Sequence, residues 1–231
     1  MNNFDQQICP DVRGLNRFLS RMYGYMAGAL VVSAIAAFIT ARYLQNTIFA
    51  SPIMMIALGI ISIVMAFSLS YNPNRSPAMS VAMLFIYAAI EGIFFSSILI
   101  VYTLKNITMA FVSAAVVFVV LSIFGLNTKK DLSRIGRQAM AALIALLVVS
   151  LINLFLRSSM IEYIFSYVGV VIFTILTAWD TQSMKKIYLQ YGNEYNISNL
   201  AVSGALQLYL DFVNMFLYLL QIFGSNRDNN N

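Results

Sequence analysis

The sequence contains no histidine, only one cysteine and few charged residues, which make up 10% of its 231 positions. Without histidine it has no haem ligand of that type, no Cys/His zinc cluster and no Ser-His dyad of an intramembrane protease. Cys9 has no partner for an intramolecular disulfide, and its polar context QQICPD favours a surface thiol over a lipidated one. The chain also lacks a GxxxxGK(S/T) phosphate loop and a dinucleotide GxGxxG motif. An enzyme is therefore the class of protein that the sequence supports least, and no cofactor is expected.

Apolar residues make up 60% of the chain, and uncharged runs of about 20 residues recur along it. A helix of that length crosses the hydrocarbon core of a bilayer, in which unpaired backbone groups are not tolerated. The composition therefore predicts an all-α integral membrane protein whose main partner is the lipid bilayer. The charged residues that give the net charge of +5 lie between the apolar runs, where membrane topology explains them. No nucleic-acid partner is therefore expected.

Seven apolar segments are bounded by charges, proline or Asn/Ser clusters. They are roughly Leu19–Tyr43, Pro52–Ser70, Ala78–Tyr102, Ile107–Leu126, Ala139–Leu156, Ile161–Asp180 and Ser198–Phe223. The predicted organisation is a cytoplasmic amino-terminal segment (1–18), a seven-helix membrane domain (19–224) and a polar tail (225–231).

The basic residues predict the orientation, because cytoplasmic loops carry an excess of Lys and Arg. In a seven-span arrangement one side holds Arg13, Arg17, Arg21, Arg75, Lys129, Lys130, Arg134, Arg137, Lys185 and Lys186. The other side holds Arg42, Lys105, Arg157 and Arg227. We therefore expect a cytoplasmic amino terminus and a carboxyl terminus on the outside.

Three carboxylic acids fall within or at the edge of the predicted spans. Glu91 lies near the centre of the third, Asp180 at the end of the sixth and Asp211 near the centre of the seventh. An ionised carboxylate at the bilayer centre costs about 2.5–3.5 kcal/mol on insertion scales, so it normally faces protein or water. Each is therefore a candidate functional residue.

Polar side chains in the seventh segment recur at spacings of 4, 4, 3, 4 and 3, which places them on one helical face. They are Ser203, Gln207, Asp211, Asn214, Tyr218 and Gln221. This face predicts a helix at the centre of the bundle, with Gln207, Asn214 and Glu91 as possible pathway residues. The alternative stays open that the polar face only hydrogen-bonds neighbouring helices, at about 0.6 kcal/mol per contact. Asp180, taken alone, is better explained as an ordinary interfacial acid near Lys185 and Lys186.

Two motifs carry a resemblance to a known family. WDTQSMKKIY follows the sixth segment and LYLDFVNMFLYLLQIFG forms the seventh, and together with EGIFFSSI they resemble the bacterial branch of the Bax inhibitor-1 family. The resemblance extends over nearly the whole chain from Arg17. It implies a central seventh helix wrapped by the other six and a location in the bacterial inner membrane.

The resemblance also implies an activity, namely a pH-controlled calcium leak in which Asp180 and Asp211 form the pH sensor. Two carboxylates at hydrogen-bonding distance cannot both ionise cheaply, so they share a proton and titrate as a coupled pair. We expect the shared proton to hold the sixth and seventh helices together at low pH. At higher pH, repulsion would expose oxygen ligands for a transient Ca²⁺.

One position departs from the family pattern. Members with a described arginine latch carry it at the cytoplasmic end of the second span, where this chain reads MAFSLSYNPNRSP and has Ser70. Arg75 follows five residues later and is the possible replacement.

Two further functions remain open at this point. Some bacterial relatives modulate a membrane-anchored AAA protease, and the polar segment MNNFDQQICPDVRG could engage such a partner. The second open function is a proton-coupled carrier that uses Glu91 together with the aspartate pair.

Overall fold

The computed structural model describes residues 12–44, 52–71, 75–191 and 196–225. Within these ranges the chain forms seven long helices, numbered here in chain order. They are α1 (Val12–Ile39), α2 (Pro52–Tyr71), α3 (Pro77–Val101), α4 (Leu104–Asn127), α5 (Ser133–Leu156), α6 (Ser159–Tyr191) and α7 (Ile197–Ser225). Thr40–Leu44 continues α1 as a π-helical turn. Cys9, Arg227, most of the predicted amino-terminal segment and the tail after Ser225 lie outside the described residues.

The seven-helix prediction is confirmed, because all seven helices are long and apolar enough to cross a membrane. Local sequence explains several boundaries. Ser76 caps α3 by accepting a hydrogen bond from the Met79 N–H (3.3 Å), and Pro77 occupies the first helical turn, where its missing donor does no harm. Thr103 caps α4 by accepting a hydrogen bond from the Asn106 N–H (3.4 Å).

The predicted end of the sixth span is wrong. Instead of stopping at Asp180, α6 continues as regular helix to Tyr191. These eleven further residues add about 16 Å of helix at 1.5 Å per residue. Asp180 therefore lies well inside a continuous helix, and the lysines that were expected to mark its end lie on the same helix.

The bundle is built around α7, as the polar face of its sequence predicts. In α7, 61% of the most apolar stretch is buried, against 11–33% in the other helices. It contacts α1, α2, α3, α4 and α6, whereas the main neighbour of α5 is α6. Its fully buried side chains include Leu206, Leu208, Tyr209 and Met215, which form the core with residues of α1, α3 and α6.

Large apolar side chains cover the outside of the bundle, among them Ile53, Phe67, Val120 and Phe155. An apolar exterior around a partly polar interior suits a protein whose solvent at this depth is lipid. The chain is thus a multi-pass membrane protein.

Candidate functional site

The two aspartates of the sequence motifs meet across the α6–α7 hairpin. Asp180 lies eleven residues before the end of α6, and Asp211 lies fourteen residues after the start of α7, so both sit at similar depth from the connection. Their carboxyl groups are within hydrogen-bonding range of each other. Asp211 is 4% exposed and Asp180 is partly buried. The extension of α6 past Asp180 makes this pairing possible.

The pair needs a proton to be satisfied. Two ionised carboxylates offer only acceptors, and Asp211 Oδ2 is buried without a hydrogen-bond partner among the described residues. The two carboxyl groups also act on each other through their charges. A single proton between them would supply the missing donor and remove one of the two negative charges.

Further buried oxygens without a hydrogen-bond partner flank the pair. Gln207 Oε1 belongs to the residue one turn before Asp211, and Thr181 Oγ1 belongs to the residue after Asp180; both are unpartnered among the described residues. Such atoms usually bind an ordered water or an ion. Within the described ranges, no group of three or more His, Cys, Asp or Glu residues that could hold a metal ion is present.

Arg75 is engaged away from the pair. Its guanidinium Nη2 donates hydrogen bonds to the Ser68 hydroxyl (2.5 Å) and carbonyl (3.2 Å), near the end of α2. Its own carbonyl accepts a hydrogen bond from Asn199 Nδ2 (2.6 Å), at the start of α7. In this arrangement Arg75 ties α2 to the beginning of α7, and its role as a latch on the aspartates stays a prediction.

Two further residues of WDTQSMKK, Gln182 and Lys185, attach α6 to the α4–α5 connection and to the end of α4. Gln182 accepts a hydrogen bond from the Leu132 N–H (2.9 Å) and donates one to the Lys130 carbonyl (2.8 Å). Lys185 Nζ donates to the Leu126 carbonyl (2.7 Å) at the end of α4. This anchoring role was missed in the sequence, although an amide side chain two residues after Asp180 in a largely apolar helix was a visible signal.

Two glycines allow the helices around Asp180 to approach closely. A Cβ at Gly125 of α4 would overlap the backbone carbonyl oxygen of Ala178, and a Cβ at Gly136 of α5 would overlap the Trp179 ring. Small residues serve in this way at helix contacts in membranes. Asp180 therefore follows directly after two residues, Ala178 and Trp179, at which α4 and α5 pack closely against α6.

An exposed ion pair adds to this attachment. Lys186 Nζ donates a hydrogen bond to the Asp131 carboxylate, which also accepts from the Ser133 N–H (3.2 Å) and hydroxyl (2.7 Å). The hydrogen bond from Lys186, followed by those from Ser133, holds the pKa of Asp131 well below its usual range. The pair is solvent-exposed, so its effect on stability is expected to be small.

Asp131→Asn should therefore lower the thermal unfolding midpoint slightly at pH 7 and less at pH 2. A folded-state pKa below the unfolded value of about 3.9 stabilises the protein above that pH, and this contribution disappears as the pH falls through the folded-state pKa. Thermal unfolding in detergent at both pH values measures the difference. High salt should reduce it at pH 7, and an equal shift at both pH values would contradict the ionic origin.

Glu91 belongs to a separate polar network at the centre of the bundle. Its carboxylate accepts a hydrogen bond from the Ser62 hydroxyl of α2 (2.6 Å) and lies close to the Tyr87 side chain, one turn before it on α3. The Tyr87 ring packs edge-on against Tyr209 of α7, whose hydroxyl is 2.7 Å from Ser33 Oγ of α1. The network thus joins four helices, α1, α2, α3 and α7.

The other predicted pathway residues have different environments. Asn214 Nδ2 donates to the Leu210 carbonyl of its own helix (2.7 Å), which satisfies the amide locally. Gln207, by contrast, has the unpartnered oxygen described above. The structure therefore brings Asp180, Asp211 and Gln207 into one region and leaves Glu91 in another.

Comparisons with known proteins agree with this architecture. The family described as "Inhibitor of apoptosis-promoting Bax1" matches residues 15–228. The inner membrane protein YbhL of Escherichia coli is 36% identical over 219 residues, which cover 93% of this chain and 94% of YbhL. The protein YrjE of Lactococcus lactis is 38% identical over 234 residues, covering 97% of this chain and 99% of YrjE. The resemblance seen in the two aspartate motifs is thereby confirmed, and the chain belongs to the Bax inhibitor-1 family.

Proposed function

We propose that this protein is a pH-sensitive calcium leak channel of a bacterial inner membrane, gated by the proton that Asp180 and Asp211 share. The observation that carries the proposal is the facing pair of carboxyl groups on α6 and α7, with Asp211 Oδ2 buried and unpartnered among the described residues. The inner-membrane location is supported by the name of the E. coli relative.

The mechanism follows from the charge of the pair. With one proton present, the carboxyl groups hydrogen-bond each other and hold α6 against α7. When that proton is lost, two negative charges face each other in a poorly solvated region, and their repulsion favours separation of the helices. Flux is therefore expected to rise with pH.

The chemistry around the pair suits Ca²⁺ as the permeating ion. Ca²⁺ takes six to eight oxygen ligands in flexible geometry, and carboxylate, amide and hydroxyl oxygens are the groups present here. Asp180, Asp211, Gln207 and Thr181 would contribute such oxygens when the helices separate. Because only two of these residues are acidic, the ion would be bound transiently and released, as a leak requires.

The test is Ca²⁺ entry into dye-loaded proteoliposomes at pH 6 and pH 8. Flux through the unmodified protein should be greater at pH 8, and Asp211→Asn should remove the difference because an amide cannot titrate. Asp131→Asn is the matched control, since it removes a carboxyl group from an exposed loop and should leave the pH dependence unchanged.

Other outcomes would overturn the proposal. Flux no greater than in empty liposomes at either pH would favour a partner that modulates a membrane-anchored protease. Uphill Ca²⁺ movement driven by a pH gradient would instead indicate a proton-coupled carrier. Retention of a normal pH profile in both Asp180→Asn and Asp211→Asn would exclude the pair as the sensor.

A further inference from the structure

The contact between α6 and α7 extends far beyond the aspartate pair as one continuous seam. On α6 the residues that share a face with Asp180 recur at spacings of 3 and 4, and the same holds for α7 and Asp211. They are Glu162, Ser166, Gly169, Phe173 and Thr177 on α6, and Asn214, Tyr218 and Gln221 on α7. Asp211 and Gln221 are ten residues apart, so the polar line on α7 is about 15 Å long.

The seam opens into two cavities at the end of the hairpin opposite the aspartates. Their volumes are about 710 and 320 Å³, and Ser159, Glu162 and Gln221 line both. We call these two cavities together the distal vestibule. The polar face of α7 therefore connects the aspartate pair to a space large enough for a hydrated ion.

The Tyr218 ring blocks the seam between the distal vestibule and the aspartates. Tyr218 lines the larger cavity, and its ring lies on Gly169 so closely that a Cβ there would be 2.5 Å from Cδ2 and Cε2 of the ring. On the aspartate side the ring packs against Phe173, with the ring centroids 6.0 Å apart. Glycine at position 169 leaves the space that this aromatic side chain occupies.

The charge of the smaller cavity favours cations. Glu162 is the charged residue that lines the smaller cavity, whereas Arg157 reaches only the larger one. In the short α3–α4 connection beside the smaller cavity, burial and then the negative charge of Glu162 raise the pKa of Tyr102. Glu162 and Tyr102 both line this space, and the carboxylate would attract a positive ion there.

We infer that the α6–α7 seam is the cation path, entered from the distal vestibule at Glu162 and closed on that side by the Tyr218 ring seated on Gly169. This inference rests on the proposed function and adds a second barrier in series with the aspartate pair. The two barriers differ in kind, since the pair responds to protons and the ring excludes by size.

The single cysteine of the chain makes the barrier directly measurable. In a Cys9→Ser background, Gln221→Cys places a thiol in the distal vestibule and Asn214→Cys places one past the ring. A membrane-impermeant, positively charged methanethiosulfonate reagent is applied to sealed vesicles of each orientation. Thiol modification depends on access, so Asn214→Cys should react more than about tenfold slower than Gln221→Cys from the vestibule side.

Adding Tyr218→Ala should bring Asn214→Cys to within about threefold of Gln221→Cys, because the ring no longer limits access. Tyr218→Phe keeps the ring and is the matched control, so it should leave Asn214→Cys slow. Thr177→Cys offers a second position past the ring on α6 if Asn214→Cys does not yield folded protein by size exclusion.

Equal labelling of Asn214→Cys and Gln221→Cys with Tyr218 present would overturn the barrier. If Asn214→Cys still reacts slowly after Tyr218→Ala, the α6–α7 seam is not the cation path. The assay needs no ion flux, so a protein that conducts no Ca²⁺ would contradict the proposed function without deciding this result.

Discussion

Gly125→Ala is expected to destabilise the protein by about 3 kcal/mol and to lower its thermal unfolding midpoint in detergent by about 10 °C. A Cβ at this position would overlap the backbone carbonyl oxygen of Ala178 and lie 3.1 Å from its carbonyl carbon. A flexible side chain could rotate away from the added methyl group, but a backbone carbonyl within α6 cannot. The helices α4 and α6 would have to separate.

Gly24→Ala is the matched control, because no heavy atom lies within 4 Å of a Cβ built at Gly24. Its unfolding midpoint should equal or slightly exceed that of the unmodified protein, since alanine favours helix by up to about 1 kcal/mol over glycine. If Gly125→Ala unfolds at the same temperature as Gly24→Ala, the α4–α6 contact is looser than described. Where Gly125→Ala folds, its displaced α6 should also weaken the pH dependence of Ca²⁺ flux.

Gln182→Leu is expected to release the α4–α5 connection from α6. The Gln182 side chain is 5% exposed and satisfies both the Leu132 N–H and the Lys130 carbonyl. Leucine has a similar volume but no polar atom, and each backbone group left unpaired costs about 1–3 kcal/mol unless water reaches it. We expect a loss of about 2 kcal/mol in the free energy of unfolding.

Trypsin reports on this release, because Lys129 and Lys130 lie in the connection itself. Cleavage there should be about tenfold faster in Gln182→Leu if local opening becomes easier by about 1.4 kcal/mol. Gln190→Leu is the matched control, since Gln190 is exposed and, among the described residues, its amide donates a hydrogen bond to the neighbouring Tyr191 hydroxyl rather than to the α4–α5 connection. Equal cleavage rates in the two variants would show that the hydrogen bonds of Gln182 do not hold the connection.

The sequence was sufficient to predict the helices and the central position of α7. Bilayer thickness fixes the length of a span, and the backbone must be helical there, so seven apolar runs could mean little else. The polar face from Ser203 to Gln221 predicted a helix surrounded by protein, because such a face is poorly tolerated against lipid.

The end of α6 could not be read in the same way. Lys185 and Lys186 suggested the edge of the membrane, but α6 continues past both. Lys185 donates a hydrogen bond to the end of α4, and Lys186 donates one to Asp131. Those partners are more than fifty residues away in the sequence, and their positions depend on how the helices pack. The pairing of Asp180 with Asp211 depended on this extension and was therefore only conditional at the level of sequence.

Helix contacts through glycine were equally hidden. The Gly24 and Gly28 pair has the GxxxG spacing of a helix contact, but only Gly28 has a close neighbour, the Phe85 ring at 3.0 Å. The closest approaches involve Gly125, Gly136 and Gly224, which form no such pattern. Whether a glycine faces a neighbouring backbone is decided by helix rotation, which spacing along one helix does not reveal.

The central place of α7 has a consequence for biosynthesis. A ribosome delivers the chain from its amino end, so the helix around which the bundle packs is the last of the seven described helices to enter the membrane. Until then, Ser33 of α1 lacks its Tyr209 neighbour and Asp180 lacks its carboxyl partner. The six earlier helices are therefore inserted before the central helix α7 is available to pack against them. Assembly of the bundle is completed only after translation has passed residue 225.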